Sequence, residues 1–209
     1  MDNNEVSMRL VIWIRNAVRK VFAPVVIYVS GHGYEVDDRL NIVHVKYRDG
    51  TECWYDYDMD GKLIHEKVSS GYERWLNGQG NRIHEKLADG DEFWYDSNDN
   101  KVHTRFSDGE EWWYDADGNI RHKKLTDKSE EWYDADGNKI HEKSSDGYES
   151  WYDDKGTLRS TKDAFGRECK YDANGKLIHE KDSDGYEYWY DANGNIIHNK
   201  RSDGHEWWY

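Results

Sequence analysis

The sequence Glu130-Glu-Trp-Tyr-Asp-Ala-Asp-Gly-Asn-Lys-Ile-His-Glu-Lys-Ser-Ser-Asp-Gly-Tyr148 is one copy of a unit that recurs along almost the whole chain. Its tyrosine recurs every 19 residues, at Tyr95, Tyr114, Tyr133, Tyr152, Tyr171, Tyr190 and Tyr209. We count nine copies from residue 36 onward, including incomplete ones at the two ends. A fixed period of this size predicts a tandem array of small supersecondary units.

Four further columns keep their residue type from copy to copy. Tryptophan is found at Trp54, Trp75, Trp94, Trp113, Trp132, Trp151, Trp189 and Trp208, and Lys170 replaces it in one copy. Histidine is found at His44, His65, His84, His103, His122, His141, His179 and His198, and Ser160 replaces it in the same copy. A glutamate stands two residues before each tryptophan position, and a lysine or arginine stands two residues after each histidine position.

Most glycines fall in two turn columns, which indicates how the chain folds back. Dipeptides such as Asp136-Gly137 fit a two-residue type I′ turn, which needs positive φ at both central residues. Triplets such as Ser145-Asp-Gly147 fit a three-residue loop that ends on a left-handed glycine. Each copy is therefore predicted to form a β-hairpin of two short antiparallel strands.

These turns predict a pairing register. Around Asp136-Gly137, Trp132 should lie opposite His141 and Glu130 opposite Lys143, and the next loop should place Trp151 opposite His141. Because side chains alternate between the faces of a strand, one face would carry a Trp/His ladder and a Glu/Lys ladder. The opposite face would carry a well-packed row formed by Tyr133, Ile140 and Tyr152.

The first 35 residues lack the repeat and are assigned to a separate cap, while residues 36–209 form the repeat array. The apolar spacing over residues 5–22 predicts a short amphipathic helix that ends at Pro24. The sequence Val25-Val-Ile-Tyr-Val29 predicts a strand, followed by a turn at Gly31-His-Gly33. This helix and strand would cover the first open edge of the array, and membrane-surface binding is the alternative for the helix.

Composition limits both the core and the partners. The chain has 209 residues with 16 Tyr and 11 Trp and a mean hydropathy of -1.16, which favours a thin or elongated body over a thick interior. The formal charge is -14, and residues 31–209 alone carry -16. Such a charge disfavours direct binding to nucleic acid or anionic membrane and favours a basic protein partner. No signal peptide or membrane span is evident, so we expect a cytoplasmic protein.

Two irregularities break the period. The sequence Asp56-Tyr-Asp-Met-Asp-Gly61 holds two extra residues, which we assign to a longer turn. The copy from Arg159 to Lys170 loses its histidine and tryptophan and gains Arg159, Arg167 and Lys170. This basic island is explained either by drift in a tolerant repeat or by a specific contact site or bend.

The pattern in Tyr171-Asp-Ala-Asn-Gly-Lys-Leu-Ile-His-Glu-Lys-Asp-Ser-Asp-Gly-Tyr186 resembles the YD repeats of Rhs-type and teneurin-type proteins over residues 36–209. That resemblance implies β-hairpins that spiral into a structural or encapsulating shell rather than a catalytic domain. The chain differs in its 19-residue period and its Trp and His columns. A weaker similarity to choline-binding cell-wall repeats rests on the Trp-Tyr, Asp and Gly pattern.

No constellation of catalytic or metal-binding residues is predicted, and no cofactor is expected. Histidines on alternate strands would lie about 9.6 Å apart, too far to share an ion whose ligands lie about 2 Å from its centre. The sequence from Asp56 to Gly61 begins like a calcium loop, but Lys67 occupies the position that requires a bidentate glutamate. Cys53 and Cys169 are predicted to be free thiols.

We therefore interpret the chain as a non-enzymatic, elongated, curved or coiled antiparallel meander that binds a basic protein partner. In its most specific form, the acidic turns imitate a polyanion such as DNA, and the protein is an inhibitor encoded by a phage or mobile element. A carbohydrate-binding module that uses the Trp ladder and a structural shell fragment are the alternatives. The candidate binding residues are Trp94, Trp113, Trp132, Trp151, Trp189, Arg159, Arg167 and Lys170.

Overall fold

The computed structural model describes the backbone of residues 25–29 and all atoms of residues 32–209. This part of the chain divides into two compact units, one ending at Lys101 and one running from Val102 to Tyr209. The predicted helix at residues 5–22 lies outside the described residues. The prediction that this helix covers an edge of the array concerns the same residues and stays a prediction.

The first unit is an antiparallel meander in which each strand pairs with the next along the chain. Its strands are β1 Val25–Val29, β2 His32–Val36, β3 Ile42–Lys46, β4 Glu52–Tyr57, β5 Leu63–Val68, β6 Glu73–Leu76, β7 Arg82–Lys86 and β8 Glu92–Tyr95. The predicted strand at residues 25–29 is thus confirmed. The turn predicted at Gly31-His-Gly33 is wrong in part, because His32 and Gly33 belong to β2 and pair with its neighbours.

The second unit continues the same pattern of sequential antiparallel pairing. Its strands are β9 Lys101–Arg105, which starts at the last residue of the first unit, β10 Glu111–Tyr114, β11 Ile120–Lys124, β12 Glu130–Tyr133, β13 Lys139–Lys143, β14 Glu149–Tyr152, β15 Leu158–Lys162, β16 Glu168–Tyr171, β17 Leu177–Lys181, β18 Glu187–Tyr190, β19 Ile196–Lys200 and β20 Glu206–Trp208. The predicted all-β array of tandem hairpins is confirmed in both units.

Neither unit has a thick interior. Within each unit, the contacts between described strands join neighbours in sequence, so each unit is a single layer. Eight of the described residues are buried, and four of these are polar. The remaining strand residues are mostly half-buried, as expected when both faces of a sheet are covered only by their own long side chains. Stability must therefore come largely from contacts between neighbouring strands.

The predicted type I′ turn is wrong. At Asp134 to Asn138 the amide of Gly137 donates to the carbonyl of Asp134 at 3.2 Å, and the amide of Asp134 donates to the carbonyl of Asn138 at 2.9 Å. Gly137 has a φ of 84°, whereas Asp136 is not among the described residues with positive φ. This is a three-residue loop with one left-handed glycine, and the Ser144 to Tyr148 loop has the same pair of hydrogen bonds. Both turn columns therefore form one kind of loop.

The predicted register is nevertheless confirmed for every pair except the one next to the bulged loop. Trp132 lies opposite His141, Glu130 opposite Lys143, and His141 opposite Trp151. The longer loop shifts Tyr133 opposite Lys139, and a bulge between Trp132 and Tyr133 restores the expected pairing. Ile140 is the extra residue of this bulge.

The bulge overturns the predicted Tyr/aliphatic row. Ile140 is 37% exposed and, as the extra residue of the bulge, does not lie opposite Tyr133 as predicted. Lys139, not Ile140, lies opposite Tyr133 and reaches the carboxylates beside it. The bulge is repeated in the equivalent hairpins of the second unit, between Trp151 and Tyr152 for example.

The two extra residues near Asp56 lengthen the strands rather than the turn, contrary to the prediction. The loop from Asp58 to Lys62 has the same two hydrogen bonds as the other loops. Strands β4 and β5 each have six residues, and Trp54 consequently lies opposite Lys67 while Asp56 lies opposite His65. Because the shift is two residues, each side chain keeps its face of the sheet.

Substitution of Asp134 should distinguish the two aspartates of this loop. The Asp134 carboxylate accepts from the amides of Asp136 and Asn138, and bonds with Asn138, the side chain included, hold the pKa of Asp134 below its ordinary value of 3.8. We expect Asp134→Ala to lower the melting temperature at pH 7, whereas Asp136→Ala should change it little.

A lowered pKa stabilises the folded state above the unfolded pKa, and that stabilisation is lost as the pH falls through the folded pKa. The difference between wild type and Asp134→Ala should therefore shrink as the pH falls below 3.8. Denaturant titrations at several pH values measure it. Equal effects of the two alanine substitutions at pH 7 would contradict a capping role for Asp134.

Candidate binding surface and its interrupted ladder

One face of each unit, here called the ladder face, is defined by the Trp, His, Glu and Lys columns. In the second unit His103, Trp113, His122, Trp132, His141 and Trp151 stack in that order, with ring centroids 4.3 to 4.7 Å apart. In the first unit the series His65, Trp75, His84, Trp94 stacks in the same way, at 4.5 to 4.8 Å. The spacing equals the distance between strands, so each strand contributes one ring.

The glutamate column fixes the histidines in these stacks. Nε2 of His122 donates to Glu130 at 2.8 Å, and Nε2 of His141 donates to Glu149 at 3.0 Å. The lysine column reaches the same carboxylates: Nζ of Lys67 lies 2.7 Å from Glu73, for example. The sequence predicted the Glu/Lys ladder but not the His–Glu bonds, although the constant spacing of eight residues between the two columns could have indicated them.

The ladder places its histidines for packing rather than for ion binding. One tryptophan-bearing strand separates successive histidines, and the ring nitrogens of His122 and His141 that face a glutamate are already bonded. Burial lowers the pKa of His103, although Glu111 acts to raise it. Among the described residues, no group of three or more His, Cys, Asp or Glu side chains is placed to hold a metal ion.

The opposite face, here called the tyrosine face, carries the tyrosine column and the residue between each Glu and Trp. Tyr133 donates to Glu131, Tyr152 donates to Glu142, and Tyr95 donates to Glu85 at 2.9 Å. Burial of the ring and the bond to Glu131 raise the pKa of Tyr133 to about 12. The prediction of a tyrosine row is correct, but its partners are carboxylates rather than aliphatic side chains.

A lysine compensates the closest pair of like charges on this face. Glu131 and Glu142 lie directly opposite each other, and Nζ of Lys139 lies 3.2 Å from the first and 2.5 Å from the second. Burial would raise the pKa of Glu131, but hydrogen bonds from Tyr133 and Lys139 hold it below its usual value. Both carboxylates therefore face the same cation, and neither is set apart as an acid for proton transfer.

The ladder is interrupted once in the second unit. Ser160 and Lys170 occupy the positions of a histidine and a tryptophan and lie opposite each other across β15 and β16. A cleft of about 560 Å³ opens there, between Trp151 and the end of the next ring series at His179. Its lining includes Glu149, Trp151, Ser160, Lys162, Glu168 and Lys170. The absence of two rings is sufficient to explain the cleft.

The structure separates the three cations of the predicted basic island. Arg159 occupies a bulge and binds Asp153 at 2.7 Å, and Arg167 binds Glu180 at 2.8 Å. Lys170 is exposed on the ladder face and makes no ion pair with any described residue. Of the three, Lys170 alone lines the cleft.

The five candidate tryptophans differ in how their ring faces are covered. Trp113 and Trp132 each stack against a histidine on both sides, and Trp189 stacks against His198 and lies tilted by 42° against His179. Trp94 stacks against His84 at 4.6 Å. Trp151 stacks against His141 at 4.7 Å on one side and faces Ser160 on the other. Carbohydrate binding through Trp113, Trp132 or Trp189 would require a sugar to displace a histidine, because stacking uses the ring face.

The remaining candidate sites have structural roles in this fold. Asp58 of the calcium-like loop accepts from the amides of Asp60 and Lys62, and Asp56 accepts from His65. Cys53 and Cys169 are buried free thiols. Among the described residues, no helix is long and apolar enough to cross a membrane.

Comparison with known proteins shows similarity in strand architecture at low identity. No family model and no curated protein matches the chain. The G-box domain of the microcephaly protein CPAP has 18% identity and a TM-score of 0.45, with coverage of 78% of this chain and 95% of that domain. The TCP10 domain of Danio rerio CPAP, solved with a peptide of STIL, has 15% identity and a TM-score of 0.43, with coverage of 86% and 100%.

The Tc toxin complex TcdB2-TccC3 has 12% identity and a TM-score of 0.25, with coverage of 84% of this chain and 12% of that one. The resemblance to YD repeats therefore stays a likeness of sequence pattern and of antiparallel hairpins. Because all three TM-scores lie below 0.5, we infer function from the geometry of the chain itself.

Proposed function

We propose that this chain is a non-enzymatic protein-binding scaffold whose acidic hairpin loops contact a partner with a basic surface. The observation that carries the proposal is that the aspartates of a loop have two different roles. In each hairpin of the type from Asp134 to Asn138, the first aspartate caps the loop. The second or third residue of several loops is another aspartate that is exposed and has no capping role.

In the second unit these exposed, non-capping aspartates are Asp117, Asp136, Asp154 and Asp184. The first three lie in loops at one end of the strands, and Asp184 lies in a loop at the opposite end. The two ends are one strand length apart, about 17 Å. On the two faces, by contrast, most glutamates are paired with a lysine, arginine or histidine. The charge that remains for a partner is therefore concentrated in the loops, and exposed like charges of this kind favour association with basic surfaces.

Removal of this charge should weaken binding without altering the fold. We expect the full chain to recover a basic protein from a cell extract at low salt and to release it as salt is raised, because exposed charges are screened. Combined replacement of Asp117, Asp136, Asp154 and Asp184 by asparagine should weaken that binding about tenfold or more. Binding is measured with the recovered partner after purification, by calorimetry at two salt concentrations.

The matched control is Asp134→Asn, which keeps an oxygen acceptor for the loop amides and removes a single charge. Recovery of no basic protein at low salt would contradict the proposal. Unchanged affinity of the fourfold variant would contradict it as well. If a duplex DNA competes for the same partner, the polyanion-mimicking form of the proposal is supported.

A further inference from the structure

We infer that the cleft between Trp151 and Lys170 binds one aromatic side chain of the partner, a tryptophan flanked by basic residues. The inference rests on the proposed protein-binding function and specifies what this site would recognise. Each strand of an intact ladder contributes one ring, so two consecutive strands without rings leave room for inserted rings about 3.5 Å thick.

The first wall of the cleft is an aromatic face. His141 covers one side of Trp151, with ring centroids 4.7 Å apart. Ser160 stands at the position where a histidine lies opposite Trp113, Trp132 and Trp189, and its short side chain cannot span the ring. An incoming ring can therefore stack on Trp151 at the spacing that the rest of the ladder already uses.

The second wall is a cation. Lys170 lies directly opposite Ser160, is exposed, and makes no ion pair with any described residue. A ring stacked on Trp151 would have this ammonium group beside its second face. A cation over a ring face is most favourable for tryptophan, which selects indole over phenylalanine.

The rim of the cleft carries carboxylates. Glu149 and Glu168 both line it, but Glu149 is bound to Nε2 of His141 at 3.0 Å, and Glu168 is bound at 3.1 Å to Lys162, which also lines the cleft. The preference for basic residues beside the inserted ring therefore comes from the exposed loop aspartates of this unit, such as Asp154 between β14 and β15, rather than from these paired carboxylates. The cleft therefore fits a Trp–basic segment rather than an aromatic residue in an acidic or apolar segment.

The other place where a lysine faces a ladder tryptophan shows why Lys170 differs. Lys67 lies opposite Trp54, but its ammonium group is bound to Glu73 at 2.7 Å. That lysine is held by its own ladder and does not present an uncompensated charge beside the ring. Of these two places, only the copy from Arg159 to Lys170 combines an uncovered tryptophan face with an unpaired lysine.

The test uses the full chain and two peptides labelled at the amino terminus, fluorescein-Gly-Arg-Trp-Arg-Gly-amide and the same peptide with leucine in place of tryptophan. Fluorescence anisotropy should show the tryptophan peptide binding about tenfold tighter. Because the peptides have equal charge, this ratio excludes the contribution of the acidic loops. Lys170→Gln should reduce the ratio severalfold, and the double variant Ser160→His with Lys170→Trp, which fills the gap, should abolish it.

Lys155→Gln is the matched control, because Lys155 is an exposed loop lysine that does not line the cleft. It should leave the ratio unchanged. Equal binding of the two peptides would overturn the inference, even if salt-sensitive binding through the loops supports the scaffold. An unchanged ratio in the gap-filling variant would overturn it too.

A second copy of the chain is the competing occupant, since Trp208 is 74% exposed. Light scattering distinguishes it. If the chain forms dimers that both Trp208→Gly and the gap-filling variant dissociate, the cleft is an interface between copies and the inference is wrong. A chain that stays monomeric at the concentrations of the peptide titration supports it.

Discussion

Replacement of Trp132 by alanine should destabilise the protein by about 2–4 kcal/mol, which is below the cost of removing a fully buried tryptophan because this side chain is half-buried. The ring stacks against His122 at 4.7 Å and against His141 at 4.3 Å. Each pair contributes about 0.5–1.5 kcal/mol beyond the area it buries. The substitution removes both pairs and leaves two imidazoles without a central ring.

The matched control is Trp151→Ala, which removes the same side chain from a place with one ring neighbour instead of two. It should cost less than Trp132→Ala by about one stacking pair, roughly 0.5–1.5 kcal/mol. Urea denaturation followed by far-ultraviolet circular dichroism measures both values. If the two substitutions cost the same, the ring stacks contribute no stability beyond general burial.

The importance of such pairs follows from the thin build of each unit. With few buried residues and contacts limited to neighbouring strands, a strand is stabilised only by the two strands beside it. Repeat arrays of this kind have a stability close to the sum of their repeats and their neighbour contacts. Loss of the Trp132 ring should therefore destabilise mainly its own strand and the two strands beside it. Amide hydrogen exchange should rise in β11, β12 and β13 before it rises elsewhere in the unit.

The regular columns of the sequence determine most of this architecture. The pairings Trp132 with His141 and Glu130 with Lys143 could be predicted because complementary residues recur at a fixed offset around each glycine. The loop type could not, because Asp-Gly fits both a type I′ turn and a three-residue loop with one left-handed glycine. The bulge at Ile140 compensates the difference, so two errors of one residue cancel in the register.

The candidate site was predictable only in part. The basic island from Arg159 to Lys170 stands out in the sequence, but its three added cations fall on different parts of the sheet. Their separation depends on the bulge that holds Arg159 and on the cross-strand reach of Arg167 to Glu180. The cleft forms because Ser160 and Lys170 lack the histidine and tryptophan rings of the other copies. The sequence shows that these rings are missing, but only the positions of the neighbouring rings show that a cleft results.

Filling the gap in the ladder should stabilise the protein. The double variant Ser160→His with Lys170→Trp restores the residue types of the other copies at two positions that already pair across β15 and β16. It would create three new ring pairs, with Trp151, with His179 and between the two introduced rings. At about 0.5–1.5 kcal/mol a pair, less the rotamer entropy of the ordered side chains, we expect a gain of about 1–3 kcal/mol.

The two single variants provide the control. Ser160→His alone can stack only on Trp151, and Lys170→Trp alone can stack only on His179, so each should give a smaller gain. The double variant should exceed their sum by the worth of the pair between the introduced rings, about 0.5–1.5 kcal/mol. Denaturant titrations of the four proteins close this cycle. Additive gains would show that rings in this ladder do not act on one another, because the third pair exists only when both substitutions are present.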